Sequence, residues 1–180
     1  QGGTRTRDRI LSSTDVVGTL AGIPVVSQIV NKVNRTALGR RMLEKTLGVH
    51  PDAPIHDYHS TSGGTRVERG HKPEAIAVKS TAETRGKVAL FATCYCNRNE
   101  PDIDDDLATV FRHNGIPVTV VPQEKCCGMP KLELGDLESI QRAKEVNIPA
   151  LAAMVEQGYD LVAPIPSCAL MFKQELPLLF

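Results

Sequence analysis

Tryptophan is absent from this sequence and aromatic residues make up only 4% of it, so no stacking platform for single-stranded nucleic acid is available. Net charge is missing too. The 21 Lys and Arg offset 21 Asp and Glu, and nothing in the total asks for a polyanionic partner. No nucleic-acid partner is expected. Long hydrophobic runs are also lacking: the uncharged stretch Val16 to Asn31 is 16 residues broken by Gly18, Gly22 and Pro24, too short and interrupted to span a bilayer. The start QGGTRTRDR is polar and carries no secretory signal, which points to a reducing, cytoplasmic setting where thiols stay free, catalytic or metal-bound. An initiator Met is absent and the chain stops at ELPLLF, inside an unfinished apolar pattern. It is expected to be a piece of a longer protein.

What is present is enough for one globular unit with an extension: 180 residues, 41% hydrophobic and 23% charged, with a core that must be aliphatic. Residues 1 to 80 hold 12 Lys and Arg against 7 Asp and Glu, leaving 9 against 14 for the rest. All five cysteines lie in the acidic part. The two halves are expected to do different work.

Three stretches separate. Residues 1–48 are a helical lead-in whose first 15 residues are polar, with Ser12, Ser13, Thr14 and Asp15 available as caps. Pro24 suits the first turn of a helix running to about Asn34, and a second helix from about Thr36 carries Leu38, Met42, Leu43 and Leu47 before a stop at Gly48. These basic, amphipathic helices, residues 24–47, are suited either to pack on the other half or to dock on a partner or membrane surface. Residues 49–85 lose periodicity and read as a long connector. His50, His56, His59 and His71 fall there, without the matching Cys or His pair a zinc site needs. Ser62-Gly63-Gly64 reads as a turn, since neither a preceding strand nor a following Gly-Lys-Ser/Thr makes it a phosphate loop.

Residues 86–180 alternate. Short apolar runs at 87–93, 117–121 and 160–165 have the length of buried strands, separated by helical spacings at 102–113 and 135–157, with a further helix from Ala169. Asp102, Asp104, Asp105 and Asp106 crowd a helix start, where the macrodipole favours negative charge. Strand, helix, strand, helix, strand predicts an α/β fold: a three-layer, Rossmann-like parallel sheet with right-handed crossovers. Cys94 and Cys96 then follow the first strand, Cys126 and Cys127 the second, and Cys168 the third. Loops at the carboxyl ends of parallel strands converge on one crevice, so a shared metal or redox site is expected there. Neighbouring side chains diverge, and the adjacent pair suits a multi-iron cluster better than one tetrahedral zinc. Gly128 and Pro130 set a tight backbone after the pair, freeing amides to bond sulfur.

Cys94, then Cys126-Cys127-Gly128-Met129-Pro130, then Pro166-Ser167-Cys168-Ala169-Leu170-Met171 resembles the cysteine-rich CCG domain found in the iron-sulfur oxidoreductase family of heterodisulfide reductase and anaerobic glycerol-3-phosphate dehydrogenase. The resemblance implies a four-iron (4Fe-4S) cluster on Cys94, Cys126, Cys127 and Cys168. The family's final Cys-x-x-Cys is Cys168-Ala-Leu-Met171 here, and a thioether binds iron poorly beside a thiolate. Cys96 is the substitute on offer, because Cys-Tyr-Cys places both side chains on one side of an extended backbone. The resemblance further implies electron relay between a flavin-linked dehydrogenase or reductase and a quinone, thiol or protein acceptor. It also implies partners such as a ferredoxin-like module or a flavoprotein, and no catalysis by the isolated chain; peripheral contact with the inner membrane is expected through the basic helices of residues 24–47. Thiol or disulfide chemistry at the cysteine pair, helped by Lys125 and Arg98, and a cluster-free docking module are the alternatives.

Overall fold

The computed structural model describes residues 5–70, 80–83 and 86–180. Along the chain lie helices α1 (Thr6–Ser12), α2 (Thr14–Ala21), α3 (Pro24–Asn34), α4 (Ala37–Leu47) and α5 (Gly63–Arg69). Strand β1 (Val88–Leu90), helices α6 (Cys94–Arg98) and α7 (Pro101–His113), strand β2 (Val118–Val120), and helices α8 (Met129–Leu132) and α9 (Leu137–Glu156) follow. The chain ends with strand β3 (Asp160–Val162), helix α10 (Pro166–Leu170), a π-helical stretch (Met171–Glu175) and α11 (Leu176–Leu179).

The sheet is parallel and ordered β2-β1-β3, with Val88 opposite Val118 and Asp160, and Leu90 opposite Val120 and Val162. This is the α/β architecture expected from the alternating pattern. Successive strand residues face opposite sides of a sheet, and the core divides accordingly. Ala89 and Phe91 pack with Ile140, Leu151 and Met154 of α9 and with Met171, whereas Val88 and Leu90 pack with Val67 of α5 and Ala108 of α7. Three layers follow from that alternation. The last helical segment opens at Pro166, three residues ahead of the expected Ala169, because Pro is preorganised for a first helical turn.

Helices α3 and α4 match the sequence expectation, with Thr36 capping Gly39 N at 3.0 Å and Gly48 closing α4 in the left-handed region at φ 64°. The four apolar residues of α4 do not share a side, however. Leu43 and Leu47 are half-buried, while Leu38 and Met42 are 80% and 65% exposed. Positions 38 and 42 lie about 140° around the helix from 43 and 47, so a single partner face takes only one pair.

Two further expectations are corrected. The polar start, read only as a supply of caps, forms helix α1 and the opening of α2, where Lys131 reaches across to donate to Ser13 Oγ at 2.8 Å and Ser12 Oγ at 3.4 Å. Ser62-Gly63-Gly64 opens helix α5, its Ser62 hydroxyl accepting from Thr65 N at 3.2 Å. Glycine is required there by a close approach: a Cβ on Gly63 would stand 2.1 Å from Asp104 Oδ2. No single helix among the described residues is long and apolar enough to cross a membrane.

Candidate metal centre

All three strands end on the same side, and each is followed within a few residues by cysteine. Directly after β1, Thr93 takes φ 60° and its hydroxyl accepts from Cys96 N at 3.2 Å, starting α6 at Cys94. A β-branched residue in that region stores strain of about 1–3 kcal/mol. After β2, the chain runs through Cys126 and Cys127 to Gly128, whose φ of 99° turns the backbone into α8. Its amide bonds Cys126 sulfur, and the Met129 amide bonds Cys127 sulfur. After β3, Pro166 begins α10 and presents Cys168 from its first turn.

Four sulfurs meet in a chain of contacts. Cys94 Sγ lies 3.5 Å from Cys126 Sγ, Cys126 is hydrogen-bonded to Cys127, and Cys127 to Cys168. Hydrogen bonds from Cys127 and Cys94 hold the Cys126 thiol well below its ordinary pKa, against the opposing effect of burial. Cys94 and Cys127 are correspondingly pushed up, each chiefly by its hydrogen bond to Cys126.

Cys96 stands apart. Residues 94–98 are helical rather than extended, so positions 94 and 96 point about 200° apart around the axis, and Cys96 is fully buried instead. Burial, in first place, pushes its thiol up to about 12, with Asp104 adding to the rise. The expectation that Cys96 shares the side of Cys94 is therefore corrected. Met171, at the family's fifth position, is fully buried in the core with Cys127 and Cys168.

Arg98 and Lys125 line the same cavity as Cys94 and Cys126. Arg98 donates to Ser60 O at 3.0 Å and to His59 O at 3.5 Å, and Lys125 is exposed. His56 pairs with Glu100 at 2.5 Å and with Tyr95 Oη at 3.3 Å. His71 lies outside the described residues. Of the acidic helix start, Asp102 and Asp105 face Arg66 at 2.6 and 3.5 Å. Asp104 instead turns inward, fully buried, with neither oxygen hydrogen-bonded.

Three supporting residues escaped the sequence reading. Thr14 Oγ1, at the start of α2, sits 3.2 Å from Cys94 Sγ and 3.7 Å from Cys126 Sγ. Glu124 accepts from Ala92 N at 2.9 Å and Asn97 Nδ2 at 2.7 Å, tying the β2 loop to α6; burial lifts its pKa to about 7. Asn147, 1% exposed, accepts from Lys125 N at 2.7 Å and donates to Lys125 O at 3.1 Å, which fixes the backbone entering the cysteine pair. One signal was available: Asn147 lies on the apolar stripe of α9 with Ile140, Leu151 and Met154, and a buried amide there demands partners. A cavity of about 440 Å³ reaches Cys94 and Cys126 between Thr19, Ser62, Glu124 and Lys125.

The donor set fits an iron–sulfur group by its chemistry, being four thiols from three loops with backbone amides bonded to two of them. The sulfurs are in thiol-to-thiol contact, and among the described residues no three His, Cys, Asp or Glu side chains are spread as ligands around one ion.

Comparison with known proteins agrees with this layout. Residues 88–173 match the family model of the cysteine-rich domain, CCG. One subunit of the anaerobic glycerol-3-phosphate dehydrogenase of Escherichia coli strain K12 is 26% identical over 172 residues, covering 95% of this chain and 41% of the relative. One subunit of the fumarate reductase (CoM/CoB) of Methanothermobacter marburgensis is 28% identical over 102 residues, 56% of this chain and 20% of the relative. Lactate utilization protein A of Bacillus cytotoxicus is 34% identical over 91 residues, 49% of this chain and 35% of the relative. The chain thus spans less than half the length of each. No solved structure matches it significantly. With three parallel strand ends delivering Cys94, the Cys126-Cys127-Gly128 turn and Cys168, residues 88–173 are similar to the cysteine-rich domain, CCG, in both motif and layout.

Proposed function

We propose that this chain is an electron-transfer part of a dehydrogenase or reductase, in which Cys94, Cys126, Cys127 and Cys168 hold a four-iron, four-sulfur cluster. The observation that carries this reading is the meeting of those four sulfurs at the carboxyl ends of β1, β2 and β3. When bound, such a cluster supplies one-electron transfer. The residues present would hold it, the Gly128 and Met129 amides would orient Cys126 and Cys127, and Asn147 would keep the pair in place. The named relatives belong to a dehydrogenase and a reductase, which supports redox partners in general; within this proposal those partners are a flavin-linked donor, a ferredoxin-like module, and a quinone, thiol or protein acceptor. Iron and acid-labile sulfide, measured after anaerobic purification with EPR of both redox states, test it. About four of each per chain is expected. No iron together with five titratable thiols would defeat the reading in favour of thiol chemistry.

A second contact is favoured by the outer stripe of α4, where exposed Leu38 and Met42 alternate with exposed Arg41 and Lys45 at helical spacing. With Val25 and Ile29 of α3 also exposed, at 67% and 58%, this basic, apolar face suits peripheral binding to an anionic membrane from a cytoplasmic location. The expected outcome is flotation with anionic liposomes that is lost when Arg41 and Lys45 are both changed to Glu and when salt is raised. Arg40 is a poor choice for this test, because its guanidinium is bonded to Ala53 O.

A further inference from the structure

The cysteine-rich segment is not the whole of the centre. Thr14 belongs to the lead-in, 80 residues from Cys94 and 112 from Cys126 in sequence, yet its hydroxyl is the side-chain oxygen that touches both sulfurs. Two independent anchors hold it there. On one side Lys131 Nζ grips Ser13 and buried Ser12, at the corner between α1 and α2. On the other, α2 lies so close to α6 that a Cβ on Gly18 would come within 3.1 Å of Arg98 Cγ, and one on Gly22 within 2.9 Å of Arg98 Cδ. Arg98 is itself tied to the carbonyls of residues 59 and 60. A hydroxyl clamped from both ends loses little freedom when it bonds sulfur.

Resting on the reading that these cysteines hold a cluster, we propose that Thr14 is the residue through which the lead-in tunes the redox centre: its one hydroxyl proton is donated to the ligand sulfur of Cys94 at 3.2 Å, with the Cys126 sulfur at 3.7 Å as the second acceptor of a shared bond. A donor aimed at a ligand sulfur favours the more negative, reduced state of the group it holds, and so raises the reduction potential. No other side-chain hydroxyl among the described residues is shown bonded to either sulfur. The role is one of positioning and electrostatics, since Thr14 carries no electron.

The test uses the full chain with its iron in place and compares wild type with Thr14→Val, Thr14→Ser and Lys131→Met by EPR-monitored redox titration. Iron per chain is measured on every sample. Thr14→Val keeps the shape and removes the donor; it should retain iron and lower the potential, by up to a tenfold change in the one-electron equilibrium, or about 59 mV. Thr14→Ser should restore most of the difference. Lys131→Met, which frees the corner without touching the sulfurs, should shift the potential in the same direction as Thr14→Val. An iron-loaded Thr14→Val chain at the wild-type potential overturns the tuning role while leaving the cluster reading intact. Equal shifts for Val and Ser overturn it as well, since packing rather than the hydroxyl would then be responsible. A wild-type chain without iron defeats the cluster reading itself, and the tuning role with it.

Discussion

Changing Cys126 to Ala should reduce iron and acid-labile sulfide from about four per chain to near zero, whereas changing Cys96 to Ala should leave both at the wild-type level. The contrast follows from position. Cys126 is the middle of the sulfur chain, touching Cys94 and Cys127, and its backbone is strapped by Asn147. Without it the thiols of Cys94 and Cys127 lose the neighbour they share. Cys96 is enclosed between α6 and α7 with Asp104 beside it, so its loss should show only as about 1–2 kcal/mol of stability. Metal analysis and chemical denaturation of the two variants decide the matter. An iron-free Cys96→Ala chain would move Cys96 into the ligand set and undo the geometric argument.

The second large effect concerns pH. Asp104 is fully buried with two unbonded oxygens, and burial first, then the charges of Glu124 and Asp105, pushes its pKa up to about 8 from an ordinary 3.8. A carboxyl raised in the fold binds its proton more tightly there than in the unfolded chain. The stability is therefore complete below about pH 4 and drains away as pH climbs toward 8. Four pH units at about 1.4 kcal/mol each set an upper bound on the cost of about 6 kcal/mol. Asp104→Asn keeps the shape and cannot ionise. It should be more stable than wild type at pH 8, by several kcal/mol, and lack most of the decline between pH 5 and pH 8. A smaller slope should persist through Glu124, whose pKa near 7 has the same sign. Urea denaturation of both chains at the two pH values checks this. Parallel profiles would mean that Asp104 is not the source.

Much of this was legible in the residues. The strands and the helices α7 and α9 announce themselves because a buried parallel sheet needs short apolar runs and its crossovers need amphipathic spacing. The crevice was legible for the same reason, since topology alone brings Cys94, Cys126, Cys127 and Cys168 to one edge. What stayed hidden depends on contacts rather than pattern. Helix α1 has only Ile10 and Leu11 as apolar residues, both exposed, and rests on Lys131, which nothing local reveals. Helix α5 begins with two glycines, poor helix formers, because Asp104 and the side chains of Asn97 and Val120 approach too closely for larger residues. The turn at Thr93 made residues 94–98 helical, and that one local choice separated Cys96 from Cys94.

The long spans that Thr14 makes to Cys94 and Cys126 also bear on the order in which the protein assembles. Synthesis delivers α1 and α2 first, but the residues they rest on emerge only after about a hundred more have been added. Cys168 comes later still. Contacts of such separation are reached late in folding, so the centre is among the last regions to exist. Until then α2 waits without α6, the helix it packs closely against through Gly18 and Gly22, a state in which chains associate wrongly. Delivery of the proposed cluster would accordingly follow the completion of this fold. Binding of that cluster only in the native state would then add to stability by mass action.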